Sequence, residues 1–450
     1  MAGNSYQSAV ARMFALGHEL AQSPMQKFDL AQVRVLLAAL NNPEKRFPSV
    51  LIAGTNGKGS TAATLASILR MAGYRTGLYT SPHLVRINER IRIDDSQISD
   101  DDFALLHDVV DRTAERLVSE GELPWHPSFF EMLTAIAFEY FAQNKVEIAV
   151  LEVGMGGRLD ATNVVDPKLS VITDVSLDHQ KFLGDTIAEI SREKAGILRP
   201  GGMVVTLPQH PQANDVIGRK ILELNANPVS AVPYVPPVSP ASGGFLTTKA
   251  SVPVSRYALE VLGEEILVET PLIGRHQLRN VALAIASAVE LSRQGFKISA
   301  QTIERGISEA RWTGRFQVLP SQGEGPEYVF DVAHNPAGAW ALRSTLSSLY
   351  DGRPLTFIFG AMRDKAIGEM AEILFPLAGK VIVTRADNPR SASFDEIREA
   401  AARTSADMES AEDVSDALKR VRSLTPPAVV VITGSIYIVG EAMRWLGVKV

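Results

Sequence analysis

The sequence predicts an α/β protein built from two parallel-sheet domains. Three observations lead to that class. Short apolar runs of strand length, such as Val50 to Ala53 and Ile148 to Val153, alternate with longer runs at helical spacing. The first strand breaks at Gly54 into a glycine-rich turn, GTNGKGS, which opens a helix. Beyond Arg311 to Arg315 a fresh strand–helix alternation begins.

Composition narrows the possibilities. The chain has 450 residues and 46% hydrophobic content, enough for two or three domains with full cores. Charged residues make up 21% and the net charge is −6, so no basic excess points to nucleic acid. A polyanionic ligand would need a local positive site. There is no cysteine, which excludes a disulfide framework, a thiolate metal site and a cysteine nucleophile. No apolar run reaches transmembrane length. Arg12, His18 and Glu19 among apolar residues do not read as a signal peptide. A cytoplasmic protein without a membrane segment is expected.

Leu30, Val33, Leu36, Leu37 and Leu40 share one face of a helix that ends near Asn41-Asn42-Pro43. The strand Val50 to Ala53 follows, then the glycine turn, then a helix over Thr61 to Ala72. Glycines let a backbone approach an anion, and the helix dipole adds positive potential there. Lys58 would bring a point charge to the β/γ-phosphates and Ser60 a hydroxyl to Mg²⁺. The general phosphate-loop pattern ends Gly-Lys-Ser/Thr, whereas Gly59 separates Lys58 from Ser60. The alternative is a plain tight turn. A second strand, Arg75 to Tyr79, delivers Ser81-Pro82-His83 to the same edge.

Asn88 to Asp95 is charged and β-leaning, and Asp101 to Val118 is helical. Pro124 to Phe130 carries aromatics suited to core packing or to stacking on a flat ligand, and leads into a helix over Phe129 to Phe141. Glu152 sits near the C-terminal end of the strand Ile148 to Val153, followed by a second glycine loop, Gly154 to Asn163, with Arg158 and Asp160. That loop is a second anion site or a tight turn. The strand Leu169 to Thr173 precedes Asp178 and His179. Glu152 and His179 on two strand ends beside a phosphate loop suit Mg²⁺ or Mn²⁺ rather than structural zinc. A helix over Thr186 to Ile197 carries Lys194 in its last turn, an ordinary place for a lysine.

Gly201 to Gly244 is proline-rich and reads as irregular loop with short strands. Strands resume around Arg256 to Thr270, and a helix opens near Gln277 with His276 and Asn280 at its start. Those two could touch a nucleotide or simply cap and pack. The second domain's strands are expected at Tyr328 to Val332, Leu355 to Phe359, Val381 to Thr384 and Val429 to Thr433. Polar groups gather at their ends: Asp331 to Pro336, Gly360 to Lys365, and Thr433-Gly434-Ser435.

GTNGKGS, TSPHLVRINERI, SFFEMLTAIAF, LEVGMGGRLDATN, LDH, REKAGI, GRHQLRN, DVAHNP and TGSIY, in that order from Gly54 to Tyr437, resemble the folylpolyglutamate synthase and dihydrofolate synthase family of the Mur ligases. The resemblance implies an N-terminal P-loop ATPase domain of Mur-ligase type over residues 1–311 and a C-terminal Rossmann-like domain over 312–450. It implies an ATP-dependent amide ligase. A substrate carboxylate becomes an acyl phosphate, and L-glutamate attacks it. Implied substrates are ATP, L-glutamate and dihydropteroate or a reduced folate, with two Mg²⁺ ions and a monomeric enzyme.

Carried onto this chain, the resemblance puts Thr55, Asn56, Gly57, Lys58, Gly59 and Ser60 at the phosphates, with Ser60 also on the first magnesium. Ser81, Glu152 and His179 resemble ligands of the second. Lys194 resembles a lysine carried as a carbamate. Asn280, Arg315 and Asp331 resemble nucleotide contacts, the last two reached across the domain cleft. Ser128, Phe129, Phe130, Glu131, Leu159, Asp160 and Ala161 resemble the pterin side, and His334 and Ser435 the glutamate site. The motif usually written WPGR is Trp312-Thr313-Gly314-Arg315 here, and DKD is Asp364-Lys365-Ala366. A muramyl-peptide ligase would share the reaction, but SPHLVR and LDATN favour folate. A GTPase switch would want Asn-Lys-x-Asp, and Asn144-Lys145-Val146-Glu147 does not supply it. A regulatory homologue without catalysis would not need Lys58, Glu152, His179 and Lys194 together.

Overall fold

Strand β1 (Ser49–Ala53) is buried along its whole length, as a central parallel strand covered on both faces must be. It lies at the heart of a computed structural model that describes residues 5–17, 29–237, 246–247, 253–321, 325–424 and 428–450. His18, Glu19 and the proline-rich stretch from 238 to 244 lie outside the described residues. The chain divides into two compact units. One holds Met1–Val235, Glu260–Ile266 and Asn280–Ile307; the other holds Pro236–Leu259, Leu267–Arg279 and Ser308–Val450.

The first unit opens with α1 (Tyr6–Ala15) and α2 (Leu30–Ala39), then β1, α3 (Lys58–Met71) and β2 (Thr76–Tyr79). There follow β3 (Ile91–Ile93), β4 (Ser96–Gln97), α4 (Asp100–Ser119), α5 (Phe129–Gln143), β5 (Ile148–Glu152) and β6 (Leu169–Ile172). Next come α6 (Gln180–Leu183), α7 (Ile187–Ala195), β7 (Met203–Thr206), α8 (Pro211–Glu223) and β8 (Asn227–Ser230). These strands form one sheet in the order β4-β3-β2-β5-β1-β6-β7-β8. From β2 to β8 neighbours run parallel, while β3 and β4 add an antiparallel edge. The strand order departs from the chain order, which is how a doubly wound sheet creates a ligand crevice at its strand ends.

Helix α3 is buried from Gly59 to Leu69. A Cβ on Gly306 would lie 2.4 Å from the Ile68 Cα, so only glycine lets the helix over α3 come that close. Phe47 meets Phe138 and Phe141 of α5 edge-on in the core. A short sheet, β9 (Leu246–Thr247), β10 (Pro253–Val261) and β11 (Glu264–Thr270), is ordered β11-β10-β9. Helices α9 (Arg275–Arg293) and α10 (Ala300–Glu309) follow.

The second unit continues with β12 (Gln317–Leu319), β13 (Glu327–Phe330), α11 (Pro336–Leu349), β14 (Leu355–Phe359) and α12 (Ile367–Leu374). It ends with β15 (Lys380–Val383), α13 (Phe394–Ala400), β16 (Met408–Ser410), α14 (Val414–Val421), β17 (Val429–Thr433) and α15 (Ile436–Trp445). Its sheet runs β12-β13-β17-β14-β15-β16, parallel except for the edge strand β12.

Several local expectations need correction. Residues 211–223 form helix α8 inside the stretch read as irregular. Pro211 occupies its first turn, where its missing N–H is harmless, and Ala213, Ile217 and Ile221 repeat every four residues on a buried face. Within Asn88 to Asp95, only Ile91–Ile93 extends as a strand, because Ile87–Arg90 makes a 3₁₀ turn. Helix α3 begins at Lys58 rather than Thr61, so the glycine turn itself supplies the helix N-terminus.

Candidate active site

Four strand ends lie side by side. In the order β2-β5-β1-β6, Tyr79 pairs with Leu151, Ile52 with Glu152, and Ala53 with Ile172. Their C-terminal ends carry Ser81, Glu152, the loop 54–60 and the segment 174–179. Residues scattered over more than a hundred positions thus share one edge.

The loop after β1 is shaped by close approaches. A Cβ on Gly54 would lie 1.8 Å from the Thr173 hydroxyl, and one on Gly57, at φ 89°, 2.2 Å from the Asn280 side-chain oxygen. Glycine is therefore required at both, and Asn280 is brought against the loop. The Thr61 hydroxyl donates to the Asn280 carbonyl at 3.4 Å. The N–H groups of Thr55 and Asn56 donate to the Asp174 carbonyl at 2.8 and 3.1 Å. The Thr55 hydroxyl donates to the Ser176 carbonyl at 3.0 Å, and the Asn56 side-chain amide to the Ser176 hydroxyl at 3.1 Å. No side chain caps α3 and its first turn holds no acid. The N–H groups around Gly57 to Ser60 are thus left for an anion, with the helix dipole behind them. The Lys58 ammonium folds back onto the carbonyls of Gly54 and Thr55, both at 3.2 Å.

Lys194 is not an ordinary helix-end lysine. It is 4% exposed, and its ammonium donates to the Gly54 carbonyl at 2.7 Å. Burial, reinforced by the nearby Lys58 charge, brings its pKa down to about 7, against the opposing pull of Asp178 and Asp160. Glu152 is 4% exposed, and its carboxylate accepts the Ser81 N–H at 3.2 Å. His179 holds a left-handed backbone conformation, φ 52°, and its N–H donates to the Asp178 carboxylate at 2.8 Å. Such a conformation in a non-glycine residue is a stored constraint of the kind found at functional sites.

The second glycine loop closes on itself. The Asp160 carboxylate accepts the N–H groups of Met155 and Thr162, each at 3.0 Å, and the Thr162 hydroxyl. Burial raises its pKa to about 6, against those hydrogen bonds. Leu159 and the buried Ala161 flank it. Ser128 and Glu131 form a capping box at the start of α5, with the Glu131 carboxylate accepting the Ser128 N–H at 2.8 Å and its hydroxyl at 2.7 Å. The S-x-x-E signal was present in SFFE. Phe130 lies beneath Gly154, where a Cβ would meet its ring at 2.6 Å, and beside Tyr79 with ring centroids 5.9 Å apart. Phe129 is 3% exposed.

Motif reasoning missed Glu89 and Arg90. The Glu89 carboxylate gathers the N–H groups of Leu84, Val85 and Arg86 and so shapes the loop after Ser81. The Arg90 guanidinium donates to His83 Nδ1 at 2.8 Å. Both lie within the quoted motif, but their partners are backbone groups and a ring that only the fold brings near.

Arg315, Asp331, His334 and Ser435 belong to the second unit. The buried Asp331 carboxylate accepts the N–H groups of Phe316 and Ala333, each at 2.9 Å, tying the turn at Gly314 (φ 75°) to the end of β13. Burial raises its pKa, with the Arg315 charge opposing. His334 Nδ1 lies 2.9 Å from the Val332 carbonyl. Ser435 caps α15 by accepting the Tyr437 N–H at 3.2 Å. The adjacent strands β13 and β17 bring these groups to one sheet edge.

Among the described residues no three His, Asp or Glu side chains converge to cage a metal. Ser60, Ser81, Glu152 and His179 offer hydroxyls, one buried carboxylate and one imidazole. That donor set fits Mg²⁺ shared with phosphate oxygens and water, which needs few protein ligands.

The chain matches the family model of the Mur ligase middle domain over residues 130–288, and that of the Mur ligase glutamate ligase domain over residues 314–436. It is 34% identical to the dihydrofolate synthase/folylpolyglutamate synthase of Bacillus subtilis over 424 residues, covering 93% of this chain and 94% of that one. Among solved structures it is similar to Mycobacterium tuberculosis folylpolyglutamate synthase complexed with ADP and AMPPCP. That likeness has 30% identity and a TM-score of 0.81, over 98% of this chain and 99% of that one. It is also similar to E. coli FolC in complex with DHPP and ADP, at 28% identity and a TM-score of 0.80, over 98% and 97% of the two chains.

Proposed function

The chain belongs to the folylpolyglutamate and dihydrofolate synthases of the Mur ligase family, and from that membership we propose how its own residues ligate L-glutamate to a pterin acid. The enzyme is an ATP-dependent acid–amino-acid ligase. Dihydropteroate and reduced folates are both taken as acceptors, in keeping with the double name of the Bacillus subtilis relative.

The acid's carboxylate oxygen attacks the γ-phosphorus of ATP. A P–O bond forms, the bond to ADP breaks, and an acyl phosphate results. The glutamate nitrogen then attacks the acyl carbon, the C–O bond to phosphate breaks, and the nitrogen loses a proton. No nucleophilic side chain is needed, so positioning and charge neutralisation carry the rate. The N–H groups of residues 57 to 60 hold phosphate oxygens, and Lys58 exchanges its two loop carbonyls for the transferring phosphoryl. Ser60, Ser81, Glu152 and His179 would hold two Mg²⁺ ions, whose chemistry is charge neutralisation across the phosphates. Asn280 supports the nucleotide beside Gly57. Arg315 and Asp331 act on the nucleotide, His334 and Ser435 on glutamate, and the segments 128–131 and 159–161 on the pterin.

Lys194 is carried as a carbamate. Its amine, neutral in about half the molecules at a pH near its pKa of about 7, adds to the carbon of CO₂ and releases a proton to solvent. A buried cation thereby becomes an anion suited to the metal side. A domain division at 311/312 is proposed, between the two family-model matches and near Ser308, where the second compact unit resumes. Among the described residues no helix is long and apolar enough to cross a membrane. A cytoplasmic monomer is proposed, and light scattering checks the latter.

The observation that carries the reading is the alignment of Ser81, Glu152, the phosphate loop and His179 on four neighbouring strand ends. Phosphate release is measured with ATP, Mg²⁺, L-glutamate and either dihydropteroate or a reduced folate. Glutamate-dependent release with both acids is expected. Release with neither acid, or release indifferent to glutamate, overturns the reading.

A further inference from the structure

Phe14, on a helix that no motif covers, carries an exposed aromatic surface beside Phe129, in one of the segments assigned to the pterin. It is 38% exposed, and its ring lies nearly parallel to that of Phe129, with centroids 5.8 Å apart and 24° between planes. Phe129 lies beneath, and the Arg90 guanidinium sits 5.4 Å from the Phe129 ring. His83, from the loop after Ser81, meets Phe14 edge-on at 6.4 Å. Arg90 donates to His83 Nδ1, so the neutral ring keeps its proton on Nε2. Four segments of the chain thus converge on one flat patch.

The anchoring of α1 does not explain Phe14. Ala9 and Met13 form the buried face of the helix, Tyr6 packs edge-on against Phe103, and Arg12 pairs with Asp111 at 2.9 Å. Phe14 lies off that face. A large ring held flat yet open to water gains from a flat ligand laid against it, through both area and ring stacking. Phe129, which the motif singled out, is already covered.

We infer that Phe14 is a substrate-binding residue that stacks on the heteroaromatic ring of the acid substrate and helps to set its affinity. The inference rests on the ligase reading above and adds to it a residue from outside the family's motifs.

The test compares wild type, Phe14→Ala and Phe14→Trp in steady-state ligation of dihydropteroate. Phe14→Ala is expected to raise the KM for the pterin acid about tenfold, to change kcat far less, and to leave the KM values for ATP and glutamate and the melting temperature in place. Phe14→Trp, which keeps a flat ring, is expected to restore the pterin KM to within about threefold of wild type. An active wild type whose pterin KM is unmoved by Phe14→Ala overturns the inference alone. So does a common rise in all three KM values. A wild type inactive on every pterin acid overturns the ligase reading and this inference with it.

Discussion

Two glycine-rich loops leave neighbouring parallel strands, and they end differently. The loop after β1 runs into the N-terminus of a 14-residue helix with no cap and no acid in its first turn. The loop after β5 carries Asp160, whose carboxylate accepts N–H groups of the same loop. One loop keeps its donors for an outside anion, while the other has built the anion in. Both contain glycines, a cation and strand-end context. Whether a carboxylate stands within reach of the amides decides between an open anion site and a loop closed on its own charge.

The sharpest way to break the comparison is at Lys58. If the first loop holds the transferring phosphoryl, Lys58→Ala should lower kcat by about 10²–10³, by analogy with a lost oxyanion donor, while the melting temperature stays close to wild type. Near-normal turnover would make loop 54–60 a turn like its neighbour.

Lys194 joins the two loops, since its ammonium touches Gly54 while its helix end packs under Gly157 and Arg158. Lys194→Ala should lose most activity and regain part of it with a short exogenous carboxylate. Lys194→Met isolates the stability effect. The folded pKa of about 7 lies below the ordinary 10.5, so the lysine's contribution to stability is present above pH 10.5 and lost as pH falls through about 7. In CO₂-free buffer Lys194→Met should therefore melt above wild type at pH 7, by a margin on the order of a few kcal/mol that shrinks toward pH 10. A margin independent of pH would mean that the amine is not held in a desolvated site.

Asp160→Ala probes the second loop and carries the smallest expected effect. It leaves the N–H groups of Met155 and Thr162 without their acceptor, at about 1–3 kcal/mol. Asp160 has a folded pKa of about 6, above its ordinary 3.8. Its contribution to stability is therefore full below pH 3.8 and lost as pH rises through about 6. The deficit of the variant should be larger at pH 5 than at pH 8, read by denaturant melts. Inorganic phosphate should stabilise the variant more than wild type if the vacated amides then take an anion. An equal response in both would show that built-in charge is not what separates the loops.

Much of the first loop was legible because its signal is local. Strand length, glycine spacing and an unbroken helix all lie within about two dozen residues. Helix α8 was hidden because flanking prolines dominate its composition, although Ala213, Ile217 and Ile221 hold its period. The capping box of Ser128 and Glu131 went unread although SFFE carries its S-x-x-E pattern, and both side chains are engaged in starting α5.

The sequence by itself determined the alternation of strands and helices, the exclusion of cysteine chemistry, and the phosphate-loop context. Those follow from local periodicity and composition. Only the tertiary structure decided the order β2-β5-β1-β6 that makes neighbours of Ser81, Glu152, Lys58 and His179. It also decided the burial that brings Lys194 to a pKa of about 7 and the stacking of Phe14 over Phe129. Periodicity encodes which face of an element is buried. It does not encode which element covers it, and both desolvation and ring contact depend on that partner.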